Sequence, residues 1–258
     1  MRKSILAAAA IAAAGGVLGP ALAAPDGDLK VITGAGMTAP VNVIAADFGA
    51  KTGSHVIVIG DTTGGVQKRL ESGEQADLVL VTTAVMDKLT KESLVVADHS
   101  DIARVMVGIG VRKGAPEPDI SSAAAVKSAL LAAKSISYVD PAAGGVTGPF
   151  FAALCQRLGI ASEVAAKTVL KKTGGEVAAA VAGGEAELGV TLVSELLPDK
   201  DVTVAGPLPT EIQIDMIYTA ALATNAAHAD AARKLLAQMR SPAGQIAIRQ
   251  AGLVTIAP

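Results

Sequence analysis

Apolar residues recur along the chain with two alternating periods, and that alternation predicts the class of fold. Short, near-continuous apolar runs at residues 29–33, 56–59 and 78–81 have the pattern of strands covered on both faces, as in parallel sheets. After the first run, Val41, Ile44, Ala45 and Phe48 follow the i, i+3, i+4, i+7 rule of a helix with one apolar stripe; after the second, Val66 and Leu70 stack one turn apart. Strand and helix in alternation predict βαβ units. A longer run at 104–111 leads into Lys113-Gly114-Ala115-Pro116. Residues 136–139, a helix through Phe151, Leu154 and Leu158, then Val169, and residues 188–192 repeat the alternation as a second lobe. The chain returns with a strand over 216–222, then Ala232, Leu235, Leu236 and Met239 at helical spacing, and a last helix after Pro242. The expectation is an α/β chain of two lobes with a ligand cleft between them. Lobe 1 takes 24–104 plus 210–258 and lobe 2 takes 105–209, with crossover strands near 104–112 and 205–217. No internal repeat or low-complexity linker interrupts this pattern.

Only the N-terminus departs from it. Arg2 and Lys3 precede an apolar run from Ile5 to Leu18 and the small-residue stretch Ala21-Leu22-Ala23, the order of a secretory signal peptide over residues 1–23. The run is shorter than the roughly 20 residues a membrane span needs, and Gly15-Gly16 and Pro20 break it. Cleavage after Ala23 leaves 235 of the 258 residues, with no cysteine at the new terminus for a lipid anchor. A released, periplasmic chain is therefore expected.

Composition narrows the remaining classes. Hydrophobic residues make up 51% of the chain, yet there is no Trp, with two Tyr and three Phe, so the core has to be aliphatic. Without Arg2 and Lys3, 20 basic residues face 24 acidic ones; that balance excludes a nucleic-acid or anionic-membrane surface. The lone cysteine, Cys155, lies in the apolar stretch 150–155; it precludes an intramolecular disulfide and reads as a buried, inert thiol. His55, His99 and His228 lack ligand spacing with it or with one another, so neither metal nor cofactor is expected.

The candidate chemistry lies in four turns that open helices. Gly34-Ala35-Gly36-Met37-Thr38-Ala39 follows a strand and fits G-x-G-x-x-A, a dinucleotide fingerprint, with Asp61 25 residues past Gly36. Export away from nicotinamide pools weighs against a dinucleotide, and Pro40 suits a first helical turn on its own account. Gly60-Asp61-Thr62-Thr63-Gly64-Gly65 offers two hydroxyls and unhindered N–H groups, but it lacks the Gly-Lys-Ser/Thr ending of a P-loop; plain N-capping by Thr62 or Thr63 is the simpler account. Residues 140–149 form a Gly-rich loop around Gly144-Gly145 and Thr147, and Thr173-Gly174-Gly175 precedes Glu176. If the lobes face one another, these turns converge backbone and hydroxyl donors on one cleft. An anion can be held there without a buried cation.

The order of these turns, with residues 34–53, the segment 60–80 ending Glu71-Ser72-Gly73-Glu74-Gln75-Ala76-Asp77, residues 140–148 and residues 184–195, resembles the periplasmic molybdate-binding proteins of ABC importers. That resemblance covers the mature chain and implies the two-lobed type II periplasmic-binding-protein fold, each lobe a mixed sheet flanked by helices, with a small anionic ligand in the cleft, an ABC permease as membrane partner and a monomer. It implies a ligand set of Gly36, Met37, Thr38, Thr62, Thr63, Gly64, Gly145, Thr147, Gly174, Thr191 and Leu192. Two family donors are missing: the first-turn serine falls on Gly36 and the tyrosine on Leu192. A changed pocket follows, for another oxyanion or a small organic acid; none of the matching turns carries the arginine fork that a multiply charged carboxylate favours. The expected function is solute capture without catalysis. A ligand sensor and a periplasmic-binding-fold lyase are the alternatives, and a lyase would draw its acid or base from Asp61, Glu176 or Glu195. By pattern these three read as a turn residue, a first-turn helix carboxylate and a surface helix residue, and Lys68 and Arg69 read as solvated.

Overall fold

The structure is a computed structural model that describes residues 28–256. The expected signal peptide, residues 1–23, lies outside the described residues. In chain order, β1 (Leu29–Gly34), α1 (Thr38–Thr52), β2 (Val56–Asp61), α2 (Thr63–Glu71), β3 (Leu78–Thr82), α3 (Thr83–Lys91) and the long β4 (Val95–Val105) come first. β5 (Val107–Arg112), α4 (Ala123–Ala132), β6 (Ile136–Val139), α5 (Thr147–Arg157), α6 (Ala161–Ala165), β7 (Thr168–Lys171), α7 (Gly174–Ala182), β8 (Leu188–Leu192), α8 (Val193–Leu196) and β9 (Val202–Pro207) follow. β10 (Met216–Ala223), α9 (Ala229–Arg240), α10 (Pro242–Gln250) and β11 (Val254–Thr255) complete the chain.

Two sheets result, with strand orders β11-β4-β10-β3-β1-β2 and β7-β6-β8-β5-β9. The expected parallel pairing holds for β1 with β2 and β3, and for β6 with β7 and β8. The strands that carry the chain between sheets run antiparallel: β10 against β3 and β4, and β5 against β8 and β9. Both sheets are therefore mixed, and each is flanked by helices. The single apolar run expected at 104–111 is two strands that change sheets at Met106, since Val105 pairs with Met216 while Val107 pairs with Leu192. The polar start of β4, with Asp98, His99, Ser100 and Asp101, is a strand that periodicity missed. Its outer neighbour β11 covers only Ala103 and Arg104, so residues 95–101 form an open edge on which polar side chains remain hydrated.

One apolar cluster runs through both sheets, from Val31, Leu80 and Tyr218 across Val107 and Ile109 to Leu154 and Leu192. A second, built on Ile32, Val66, Val79, Val81 and Met86, fills the other face of the first sheet. Each fully covered aliphatic side chain contributes roughly 1.5–3 kcal/mol. Phe151 meets Tyr138 edge to face at 4.8 Å, and Cys155 beside them is buried and unpaired, its thiol pushed up to about 11 by desolvation. Asp77, 2% exposed, ties the first lobe together by accepting from the Lys30 N–H at 2.8 Å and the His228 N–H at 2.7 Å, with His228 Nδ1 at 3.2 Å. Burial by itself would raise this carboxyl. The hydrogen bonds outweigh it and hold the group below the usual carboxylate range.

Candidate functional site

Strands of both sheets end at one cleft, and the helices that follow them begin there. α1 starts through a tight helical turn at Ala35–Met37, α2 directly after β2, α5 after the turn Pro141–Ala143, and α7 after β7. Two of these starts are capped by hydroxyls: Thr62 Oγ1 accepts from the Gly65 N–H at 3.0 Å, and Thr173 Oγ1 from the Glu176 N–H at 3.2 Å. α1 and α5 have no side-chain cap, so their first N–H groups are left to other acceptors.

Of the residues expected from sequence, Gly36, Thr62, Thr63, Gly145, Thr147, Gly174 and Leu192 line one small cavity between the lobes, together with Ala35, Val139, Val146, Thr173, Glu195 and Tyr218. Its volume is about 20 Å³, room for little more than one ordered water. An outer groove of about 410 Å³ adjoins it, lined by Thr38, Ala39, Gly60, Asp61, Gly175, Ser194 and Pro198 as well as Ala35, Thr173 and Glu195, which belong to both. Three expected residues stand elsewhere. The Met37 side chain is in the core. Thr191, fully covered, spends its hydroxyl on Glu195. The Gly64 N–H crosses the cleft to the Gly144 carbonyl at 3.1 Å, a direct bond between the two lobes.

Two residues that carry the site's chemistry stand outside the expected ligand set: Tyr218, which was missed, and Glu195, which was expected only as one of three candidate groups for a lyase. Tyr218, on β10, is 1% exposed and enters the cavity wall from the first lobe. Burial, with the nearby Glu195 charge, drives its phenol well above the usual range, so it keeps its proton. The Gly36 N–H and the Thr63 hydroxyl are directed at its oxygen, which leaves the phenolic hydrogen as a donor for the cavity. Tyr218 thus provides a tyrosine hydroxyl that position 192 lacks, and it does so from the opposite lobe. The close packing of Gly34 explains the fit, because a Cβ there would lie 2.6 Å from the Tyr218 hydroxyl. The sequence signal was slight: one polar-tipped aromatic in a largely apolar strand.

Glu195 is not a surface helix residue. It is the third residue of α8, and its carboxylate folds back into the cleft, accepting from Thr191 Oγ1 at 2.6 Å and from the Leu192 N–H. This is half of a capping box at a short helix. Burial raises its pKa above the usual carboxylate range, and the two hydrogen bonds offset only part of the rise. Gly174 packs against it so closely that a Cβ would fall on Glu195 Oε2. Asp61 and Glu176, by contrast, have structural partners. Asp61 accepts from the Thr62 N–H at 2.7 Å and from Arg69 Nε at 2.8 Å, and Glu176 accepts from the Lys172 N–H at 2.9 Å. Arg69 is therefore not merely solvated; it also pairs with Glu74. Among the described residues, no Lys or Arg lines the cavity or the groove, and no group of three or more His, Cys, Asp or Glu is placed to hold a metal ion.

Comparison with known proteins gives a consistent setting for this geometry. Residues 29–254 match the family described as bacterial extracellular solute-binding protein. An aconitate isomerase from a Pseudomonas species is 32% identical over 241 residues, covering 91% of this chain and 90% of the relative. The molybdate-binding protein ModA of Azotobacter vinelandii is 28% identical over 242 residues, covering 90% of this chain and 92% of the relative. The solved periplasmic molybdate-binding protein of Azotobacter vinelandii superimposes with a TM-score of 0.73 at 17% identity, over 89% of this chain and 99% of its own.

Proposed function

The chain belongs to the bacterial extracellular solute-binding proteins, and from that premise we propose that it captures a small anionic solute outside the cytoplasm and presents it to an ABC permease. The observation that carries this reading is the convergence of Thr62, Thr63, Tyr218, Gly145, Thr147 and Gly174, from both lobes, on one cavity with no cation in its wall. Neutral donors fixed by helix starts select an anion by geometry and leave no buried, unpaired cation when the site is empty. Closure accompanies capture: the solute bridges donors of both lobes and favours the form in which Gly64 and Gly144 are bonded.

The solute is an organic acid in preference to a tetrahedral oxyanion. Gly36 withholds the first-turn hydroxyl that the molybdate-binding resemblance calls for, the tyrosine hydroxyl missing at Leu192 comes instead from Tyr218 on the other lobe, and the outer groove extends the site beyond the reach of a compact ion. Thermal shift against molybdate, tungstate, sulfate, phosphate and a panel of di- and tricarboxylates tests this, since a ligand of the native state raises the melting temperature by mass action. A shift confined to molybdate and tungstate overturns the organic-acid assignment. No shift with any member overturns anion capture.

A second reading has a specific observation in its favour. A carboxyl at the heart of an anion-binding cleft is unfavourable for capture alone and suits proton transfer, and a relative at 32% identity is named as an isomerase of an unsaturated tricarboxylate. On this reading the clamp binds such an acid and isomerises it.

A further inference from the structure

The inner cavity and the outer groove meet at Glu195, which is in the wall of both. The cavity, at about 20 Å³, admits at most the oxygen end of one carboxylate, in place of the water it could otherwise hold, and the groove, at about 410 Å³, is some twentyfold larger. An acid with two or more carboxylates therefore fits with one carboxylate among the inner donors and another in the groove. The carbons between them then cross the junction, against the Glu195 carboxyl. We propose that Glu195 is the catalytic proton carrier of an allylic isomerisation of unsaturated polycarboxylic acids, an inference that rests on the second reading above.

The step balances without a redox partner. A Glu195 carboxylate oxygen takes a proton from the methylene carbon next to the double bond, and the C–H electron pair becomes the new C=C bond. The former π electrons move to the far carbon and into its conjugated carboxylate as an extended enolate. The proton, now on Glu195, is delivered to that far carbon, and the carboxylate is restored. The two carbons are in a 1,3 relation, so a single carboxyl reaches both. Tyr218 donates to the oxygen on which charge develops; preorganised donors of this kind are the main source of stabilisation for such an anion. Thr191 is a positioning residue that holds the carboxyl at 2.6 Å.

The surroundings suit both halves of the cycle. The elements packed on α8 are α7, β5, β8, β9 and the Ala35–Met37 turn. Of the titratable groups in the two walls, only Tyr218 and Asp61 accompany Glu195, and Asp61 is ion-paired with Arg69. Burial moves Glu195 above the usual carboxylate range, which makes its charged form a stronger base than a solvated carboxylate.

The test is NMR of trans-aconitate in D2O with the mature protein, following the cis isomer and deuterium entry, alongside calorimetric binding of the same acid. Wild-type protein is expected to interconvert the isomers. Glu195→Gln keeps the shape and the cap and is expected to lose at least about 100-fold in rate while binding within about tenfold. Thr191→Val removes a bond that favours the charged carboxyl, so the acid limb of the pH–rate profile is expected to move to higher pH. This second variant stands even if Glu195→Gln does not fold. Wild-type turnover by Glu195→Gln, or an unmoved acid limb in Thr191→Val, overturns the role of Glu195 and leaves isomerisation standing. Wild-type protein that binds the acid without interconverting it overturns the isomerase reading itself and leaves capture standing.

Discussion

Closure is open to a substitution that separates it from folding: Gly64→Ala. Gly64 is in the first turn of α2, and its N–H bonds the Gly144 carbonyl across the cleft at 3.1 Å. A Cβ built on Gly64 lies 2.8 Å from that carbonyl oxygen and 3.5 Å from Gly144 Cα, and all three of its nearest neighbours belong to Gly144. Gly144 has φ of +79° and ends a helical turn, so its backbone cannot easily move aside. Overpacking of this kind costs about 1–3 kcal/mol, a factor of about 5 to 140 in affinity at 1.4 kcal/mol per decade. Loss of the interlobe hydrogen bond adds about 0.5–1.5 kcal/mol if the carbonyl retreats. Within its own lobe the change is neutral or favourable, since Ala is a better helix residue than Gly by at most about 1 kcal/mol. The expected result is affinity at least fivefold weaker by calorimetry, a smaller compaction on ligand addition by X-ray scattering, and a ligand-free melting temperature unchanged or raised. Affinity within twofold of wild type, with the same compaction, refutes the closure argument. A fall of several degrees in the ligand-free protein would place the clash inside a folded lobe and refute it as well.

Other outcomes follow from the same geometry. Tyr218→Phe removes the donor aimed into the cavity and is expected to weaken anion binding by about 0.5–1.5 kcal/mol; calorimetry showing no loss would remove Tyr218 from the ligand set. Because the Glu195 pKa is raised in the folded state, the native protein binds more protons than the unfolded chain above the ordinary value of 4.5, and stability contributed by the neutral form is lost as pH rises through the folded pKa. Glu195→Gln should therefore gain on wild type in denaturant midpoint as pH rises from 4.5; parallel curves would contradict this. Asp77 has the opposite sign: its pKa is depressed, so its stabilisation is present above the ordinary value of 3.8 and is lost as pH falls through the lower folded value. Asp77→Asn should flatten the acid limb of the melting curve. Cys155, buried with a thiol near 11, should resist alkylation at pH 8 until the protein is denatured, and rapid labelling of the native chain would contradict its burial.

The sequence by itself determined the class of fold. Near-continuous apolar runs placed β1, β2, β3, β6, β8 and β10 within a residue or two, because a strand covered on both faces must be apolar throughout and leaves a run that needs no tertiary context to read. It also determined where donors gather, since a helix that opens after a strand through Gly and Thr exposes N–H groups wherever the lobes are set. Tertiary structure alone decided what those donors face. A crossover was expected near 104–112, but the break at Met106 that divides that run into two strands does not show in a continuous apolar run, and the polar half of β4 is legible only once its edge is known to lack a neighbour. Tyr218 was obscured, and Glu195 could not be told from the other candidate carboxylates Asp61 and Glu176, for a related reason. An aromatic in an apolar strand and a glutamate in a short helix have the same local pattern in a core or on a surface as in a cleft. What distinguishes them is burial and charge contributed by residues far away in sequence: Gly34, Gly36 and Thr63 for Tyr218, and Gly174 and Thr191 for Glu195. Local pattern is set by near neighbours along the chain, whereas the desolvation that gives a carboxyl its chemistry comes from the packing of both lobes around it.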